Sequence, residues 1–323
     1  MKTKNLVLAL LVLAVAGSKL AAAPLKIAYS DWPGWTILEV PKQKGWFKEA
    51  GVDVELDWFD YGPSIDAFSA GKVDAVTIVP TDAMVTAATG AKSKFIAITD
   101  YSDGNDKIVG KAGINSIKDL KGKKVGVEKT LVEHLLLLEA LKANGMTQGD
   151  VTLVQTATND TPQTLASGSV AAIGAWYPVA GQALSTVPGS KALFTSHDIP
   201  GLIYDVIAVS PTSYAQHKAD WEKVAQVYYR AVAYLQDPKT HDDAVKIMAA
   251  KVGVAPADYA KNIPGTHFET LVEAKKALVP TAGFDSLKGS MTLGNQFNLD
   301  NAVYKESQSP DDFLLPHVLD NLK

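Results

Sequence analysis

The sequence predicts an α/β protein built as two lobes around a cleft, and three observations carry that expectation. Short β-branched runs alternate with helix-like stretches from residue 25 onward, the pattern of strands joined by helices into parallel sheets. That pattern restarts near residue 116 and leaves a repeat: residues 68–76 read FSAGKVDAV and residues 165–173 read LASGSVAAI. Each copy is a helix end, a glycine stop and a buried strand, with proline soon after, as expected of two related units. The length of 323 residues also suits two lobes, because single hydrophobic cores stop growing near that size.

The elements follow in order. Residues 25–29 read as a strand, 36–49 as a helix closed by Gly51, and 52–58 as the next strand, with Pro63 opening a short helix. Residues 74–79 form a third strand ahead of Pro80, and 95–99 a fourth. After the restart, residues 116–119 open a helix with an acidic third position, a capping arrangement. Residues 124–127, 151–155 and 171–175 read as strands, separated by a helix over 131–144 and another opened by Thr161 and Pro162. Pro178 opens the next helix. Beyond a strand at 204–209 the chain turns helical, with periodic apolar runs over 221–235 and 241–252. Parallel strands joined in this way gather the loops at their carboxyl ends along one edge, where ligands bind.

Residues 1–22 are read as a secretion signal. Lys2 and Lys4 precede an unbroken apolar run over 6–16, and Ala21, Ala22 and Ala23 offer a cleavage site, expected after Ala22. The run is shorter than the about 20 residues a membrane span needs. No cysteine follows to carry a lipid, so a periplasmic location is expected.

Composition removes several function classes. A net charge of −4 recommends no nucleic-acid partner. The absence of cysteine excludes disulfides, thiolate metal sites and cysteine nucleophiles. The six histidines show no His-x-x-x-His pairing, and no nucleophile elbow, phosphate loop or dinucleotide fingerprint occurs. No catalytic residue, metal or cofactor is therefore expected, and the reading is a binding protein.

The segments PKQKGWFKEAGVDVEL (41–56), AFSAGKVDAV (67–76), SIKDLKGKKVGV (116–127) and HLLLLEALKANGM (134–146) occur in this order. Together they resemble the nitrate/sulfonate/taurine branch of ABC-importer substrate-binding proteins, which includes the thiamine-precursor-binding type. That resemblance implies a type II-like, two-lobed periplasmic binding-protein fold with a helical C-terminal part, acting as a monomer that delivers a small molecule to an inner-membrane ABC permease by hinge closure. The implied organisation is a signal peptide at 1–22, a first lobe over 23–110, a second over 111–207, and completion of the first lobe with C-terminal helices over 208–323. Related thiamine-precursor synthases use a cysteine-rich motif that this chain cannot form.

Candidate ligand residues lie where strands end at the cleft. After the first strand come Asp31, Trp32 and Trp35 on a Pro-Gly turn, an aromatic wall with a carboxylate; either indole could instead pack under the first helix. Asp60 and Tyr61 follow the second strand, and Thr81 and Asp82 the third, where a carboxylate can equally be a helix cap. Asp100 and Tyr101 end the fourth strand, and Asp103, Gly104 and Asp106 read as a solvated turn. In the second lobe Trp176 and Tyr177 occupy the position matching Val79 and Pro80, and Trp176 is the foremost candidate. Tyr204 and Asp205 enter a crossover, where the carboxylate needs a ligand cation or a lysine.

Sulfonate-type relatives resemble VP.GS..H where this chain reads VEKTLVEH (127–134). Glu128 and Glu133 flank that helix start, and small polar residues that would open it to an anion are missing. The sole arginine, Arg230, falls in a helical run away from the cleft, so no bidentate anion clamp is evident. A small cationic or polar nitrogen compound is the expected ligand; the alternative is an anion such as taurine, an alkanesulfonate or nitrate.

Overall fold

The computed structural model describes residues 23–315 and 317–322; the expected signal segment at 1–22 lies outside them. Among the described residues eleven strands form two sheets: β1 (Leu25–Tyr29), β2 (Val54–Trp58), β3 (Ala75–Ile78), β4 (Lys94–Ser102), β5 (Lys107–Gly110), β6 (Lys124–Val127), β7 (Thr152–Gln155), β8 (Ala172–Ala175), β9 (Lys191–Thr195), β10 (Tyr204–Val209) and β11 (Thr266–Phe268). One sheet has the order β11-β4-β10-β3-β1-β2 and the other β7-β6-β8-β5-β9. Apart from the extra edge strand β11, the two are the same design. β1, β2 and β3 run parallel, as do β6, β7 and β8. In each sheet one antiparallel strand, β10 or β5, then packs beside the third parallel strand.

The strands form because both sheet faces are covered. All residues of β3, β8 and β10 are buried, and apolar side chains such as Ile27, Val76, Ile173 and Ile207 fill the two cores. The chain passes from the first sheet to the second between Ser102 and Lys107, and returns between Thr195 and Tyr204.

The helix expected over 36–49 is three short turns, Pro33–Thr36, Glu39–Lys44 and Trp46–Glu49. Gly45 has φ 72 and stops the middle turn, and Pro33 at the first helical position starts the segment early. The C-terminal helices Pro211–Gln236 and His241–Val252 appear as expected, the first kinked at His217. They pack on the first sheet: Tyr228 donates its hydroxyl to the carbonyls of Gly34 (3.0 Å) and Thr99 (3.2 Å), and Tyr229 to that of Ile98 (3.0 Å). The tail returns to the same sheet, where the Phe95 amide donates to the Phe313 carbonyl at 2.9 Å.

Candidate functional site

The carboxyl ends of the parallel strands of both sheets meet, and the side chains they carry close over one another. From the first lobe come Asp31 after β1, Trp32 and Trp35 around the turn Pro33–Thr36, Tyr61 opening the helix Tyr61–Ser69, and Asp82 in the first turn of Pro80–Ala88. Asp100 on β4 and Asp205 on β10 are directly opposed in the register. From the second lobe come Asp106 just ahead of β5, Val132 and Glu133 at the start of the helix Val132–Ala143, and Trp176 just past β8.

The contacts are specific. The Trp176 indole N–H donates to Asp31 Oδ1 across the cleft at 2.8 Å, and that of Trp32 to Asp100 Oδ1 at 2.8 Å. The Tyr61 hydroxyl donates to Asp82 Oδ2 at 2.7 Å and accepts from the Val79 amide at 3.1 Å. Its ring stacks on Trp35 (5.2 Å between centroids) and receives Trp176 edge-on (5.4 Å). Between these rings, Asp106 and Asp205 lies a small cavity of about 10 Å³, about the space one water needs. Outside it, a groove of about 840 Å³ opens past Asp31, Trp58, Asn159, Tyr177 and Lys251.

The electrostatics of this centre are one-sided. Asp31, Asp82, Asp100, Asp106, Glu133 and Asp205 converge on it, and none of them forms a salt bridge among the described residues. One oxygen each of Asp100, Asp106 and Asp205, and both of Glu133, are buried with no donor group beside them, but Asp100 faces Asp205 and Asp106 faces Glu133 closely enough to hydrogen-bond when one carboxyl of each pair holds a proton. Burial disfavours a carboxylate, and pushes Asp31 up to about 6 and Asp82 to about 7 against the hydrogen bonds they accept. Glu133 and Asp205 are raised well above the ordinary range, first by burial and then by neighbouring carboxylates. The opposed pair Asp100 and Asp205 cannot both ionise cheaply at such proximity. Lys107 acts on Asp106 and Glu133, but burial lowers its own affinity for a proton, and its ammonium is bound by the Gly104 carbonyl.

The helix Val132–Ala143 is informative about anions. Its first amide, Val132 N–H, donates to Asp82 Oδ2 from the opposite lobe at 3.3 Å. A carboxyl of the protein itself therefore lies where an anionic ligand would meet this terminus.

Other candidates fall outside the centre. Tyr204 turns away from it, its ring against Tyr101 and its hydroxyl on the Phe284 carbonyl at 3.4 Å; neighbours on a strand face opposite sides, so Tyr204 and Asp205 cannot share the cavity. Thr81 packs against the helix Leu287–Asp300, its methyl 2.2 Å from where a Cβ on Gly294 would sit. Tyr177 leaves the cavity for the outer groove, with its ring beside Tyr259. Asp60 accepts from Asn159 of the other lobe at 2.6 Å on the exposed rim. Glu128 is a seam residue: it accepts from the Thr158 amide and hydroxyl and lies against Gly62.

Two central residues were not among the candidates. Asp106, expected in a solvated turn, is buried, because the turn is the passage between the lobes. Asp100 is buried because β4 runs on to Ser102, past the strand end expected at residue 99. Arg230 lies on an outer face, paired with Glu49 at 3.0 Å and stacked 4.1 Å over Trp46.

A family model described as NMT1/THI5 like matches residues 32–241. The chain belongs to that family. A binding protein of Brucella abortus is 32% identical over 177 residues, 54% of each chain, so the chain spans about half the length of this curated relative. An aliphatic sulfonates-binding protein of Bacillus subtilis is 25% identical over 208 residues, 62% of each. Among solved structures, the alkanesulfonate-binding protein of Xanthomonas axonopodis bound to MOPS superposes with a TM-score of 0.76 at 18% identity, covering 91% of this chain and 99% of that one. A desulfurization enzyme superposes at 0.65 with 20% identity, covering 92% and 98%. These likenesses establish the two-lobed periplasmic binding-protein fold and bear out the resemblance to the nitrate/sulfonate/taurine branch. The same fold carries capture and catalysis, so the side chains in the cleft must separate the two.

Proposed function

We propose that the protein is the solute-capturing component of an ABC-type importer, acting in the periplasm, and that it grips a small cationic nitrogen compound between its lobes. Its kinship with binding proteins supports the capture role. Catalysis is not part of the reading: no serine, threonine, lysine or histidine is among the residues lining the cavity, and its two carboxyls, Asp106 and Asp205, are enclosed by indoles and a phenol.

The relatives' names support the alternative better: a sulfonate or similar anion. The observation that carries the cation is an aromatic cavity lined by the carboxyls of Asp106 and Asp205, with Asp82, Asp100 and Glu133 buried close by and none of the five in a salt bridge among the described residues. An anion entering there would add charge of the same sign in a medium of low dielectric. A cation would replace the protons these carboxyls hold, and ring faces stabilise it further. The cavity as it stands has room for about one water, so even a ligand of few heavy atoms, such as guanidinium, an amidinium or a small alkylammonium, requires the lobes to open and to close less tightly around it.

Thermal unfolding of refolded, ligand-stripped protein tests this. Guanidinium, acetamidinium and methylammonium, at millimolar concentration, are compared with taurine, ethanesulfonate, sulfate and nitrate. A ligand at a thousand times its Kd stabilises by roughly 4 kcal/mol. Stabilisation by cations alone is expected; stabilisation by a sulfonate or nitrate would overturn the cation and leave the capture role standing.

A further inference from the structure

We propose that His267, Glu269 and Glu273 form a divalent-cation site of the zinc class, outside the cleft, which clips the edge strand β11 to the helix Leu271–Ala277. The backbone sets the three side chains close together. β11 pairs antiparallel with β4, and the Glu269 amide continues the ladder to the Thr99 carbonyl at 3.0 Å. Thr270 then caps the helix in a capping box with Glu273.

Each side chain is already oriented. Glu273 Oε2 accepts from the Thr270 amide (2.9 Å) and hydroxyl (2.7 Å), leaving Oε1 at 3.5 Å from His267 Nε2. The His267 ring is held flat against Tyr101, with centroids 4.6 Å apart. Glu269 is only 4% exposed, and its Oε2 is buried without a partner. One ligating atom from each residue lies within 4.8 Å of the others.

These separations suit a small tetrahedral ion. Ligands about 2.1 Å from such an ion stand about 3.4 Å apart, so the His267–Glu273 pair needs almost no movement and Glu269 about an ångström. One imidazole and two carboxylates make a donor set for Zn²⁺ or a neighbouring first-row metal. Ca²⁺ would need six to eight oxygens. His267 and Glu273 are part-exposed, which leaves a route for entry and room for a water ligand. The orphan oxygen of Glu269 separates this cluster from the solvated pairs His197–Asp103 and His317–Asp320, which have no third such ligand among the described residues.

The test is calorimetric titration of EDTA-treated, dialysed protein with Zn²⁺, together with the visible spectrum of its Co²⁺ complex. One equivalent is expected to bind, raising the melting temperature, with a tetrahedral-type Co²⁺ absorption. Glu269→Gln and His267→Ala should each weaken binding at least tenfold, while His197→Ala and His317→Ala leave it unchanged. All variants should melt cooperatively in EDTA at temperatures close to wild type, which shows that they fold. Failure of Zn²⁺ to saturate one site, or equal binding by Glu269→Gln, would overturn the proposal whatever ligand the cleft takes.

Discussion

The corners that follow β3 and β8 occupy the same place in their sheets, each beside the antiparallel strand that ends a crossing. They present opposite chemistry. After β3 the chain reads Val79-Pro80-Thr81-Asp82, and the helix that Pro80 opens turns a carboxyl toward the cleft. After β8 it reads Trp176-Tyr177-Pro178, and an indole faces the cleft instead. The two walls meet through Tyr61, whose hydroxyl holds Asp82 and whose ring receives Trp176. A repeated scaffold thus keeps its strands and helix starts and lets the few residues at each corner diverge, the positions where α/β sheets place their ligand contacts.

The sharpest way to break the asymmetry is Trp176→Ala. It removes the second lobe's ring, its hydrogen bond to Asp31 and its edge on Tyr61, and loss of a central aromatic anchor costs about 100-fold in affinity. Guanidinium titration against wild type should show that fall, and a loss below threefold would mean the indole is packing only.

On the opposite corner, Asp82→Asn should weaken guanidinium about tenfold and flatten the pH dependence. The sign follows from the raised Asp82 carboxyl, at about 7 in the folded chain against 3.8 ordinarily. Its proton adds stability that is complete below about pH 4 and lost as pH rises through about 7. Ligand-free wild type should therefore melt lower at pH 8 than at pH 5, and Asp82→Asn should lose less, by roughly 1–4 kcal/mol. Guanidinium should bind wild type more tightly as pH rises from 5 to 7.5; tightening toward low pH would indicate an anion.

Gly62→Ala tests the seam. An added Cβ would lie 2.5 Å from Glu128 Oε1 of the other lobe, so closure should weaken and affinity fall severalfold. Pairing it with Glu128→Ala, which removes the clashing carboxyl, should restore most of the loss. The smallest effect is expected at Tyr204→Phe, within twofold on ligand affinity, because that hydroxyl contacts the Phe284 carbonyl on the far face. A larger change would place Tyr204 in the site after all.

Much of the cleft was legible because it obeys local rules. Trp32, Trp35, Tyr61, Asp82 and Trp176 stand at strand ends followed by helix starts, positions that the alternation of elements and the prolines mark in the chain itself. Asp106 was not, since an aspartate in a run such as Asp103-Gly104-Asn105-Asp106 reads as a solvated turn until the other lobe covers it, and Asp100 was not, since only the pairing of β4 with β10 carries the strand past residue 99 and sets Asp100 opposite Asp205. Thr81 and Tyr204 lie off the central cavity for a different reason: which side of a strand or helix faces the cleft depends on register, and register depends on partners far along the chain.

By itself, then, the sequence determined the α/β class, the repeated plan and its family, because hydrophobic period, turn residues and local motifs are properties of short segments. Tertiary structure alone decided that the carboxyls of Asp100, Asp106, Glu133 and Asp205 share one buried centre, although they come from β4, a crossing, the helix Val132–Ala143 and β10. Their protonation, and with it the charge the cleft offers a ligand, is set by burial and by one another, and neither exists until the two lobes fold and close.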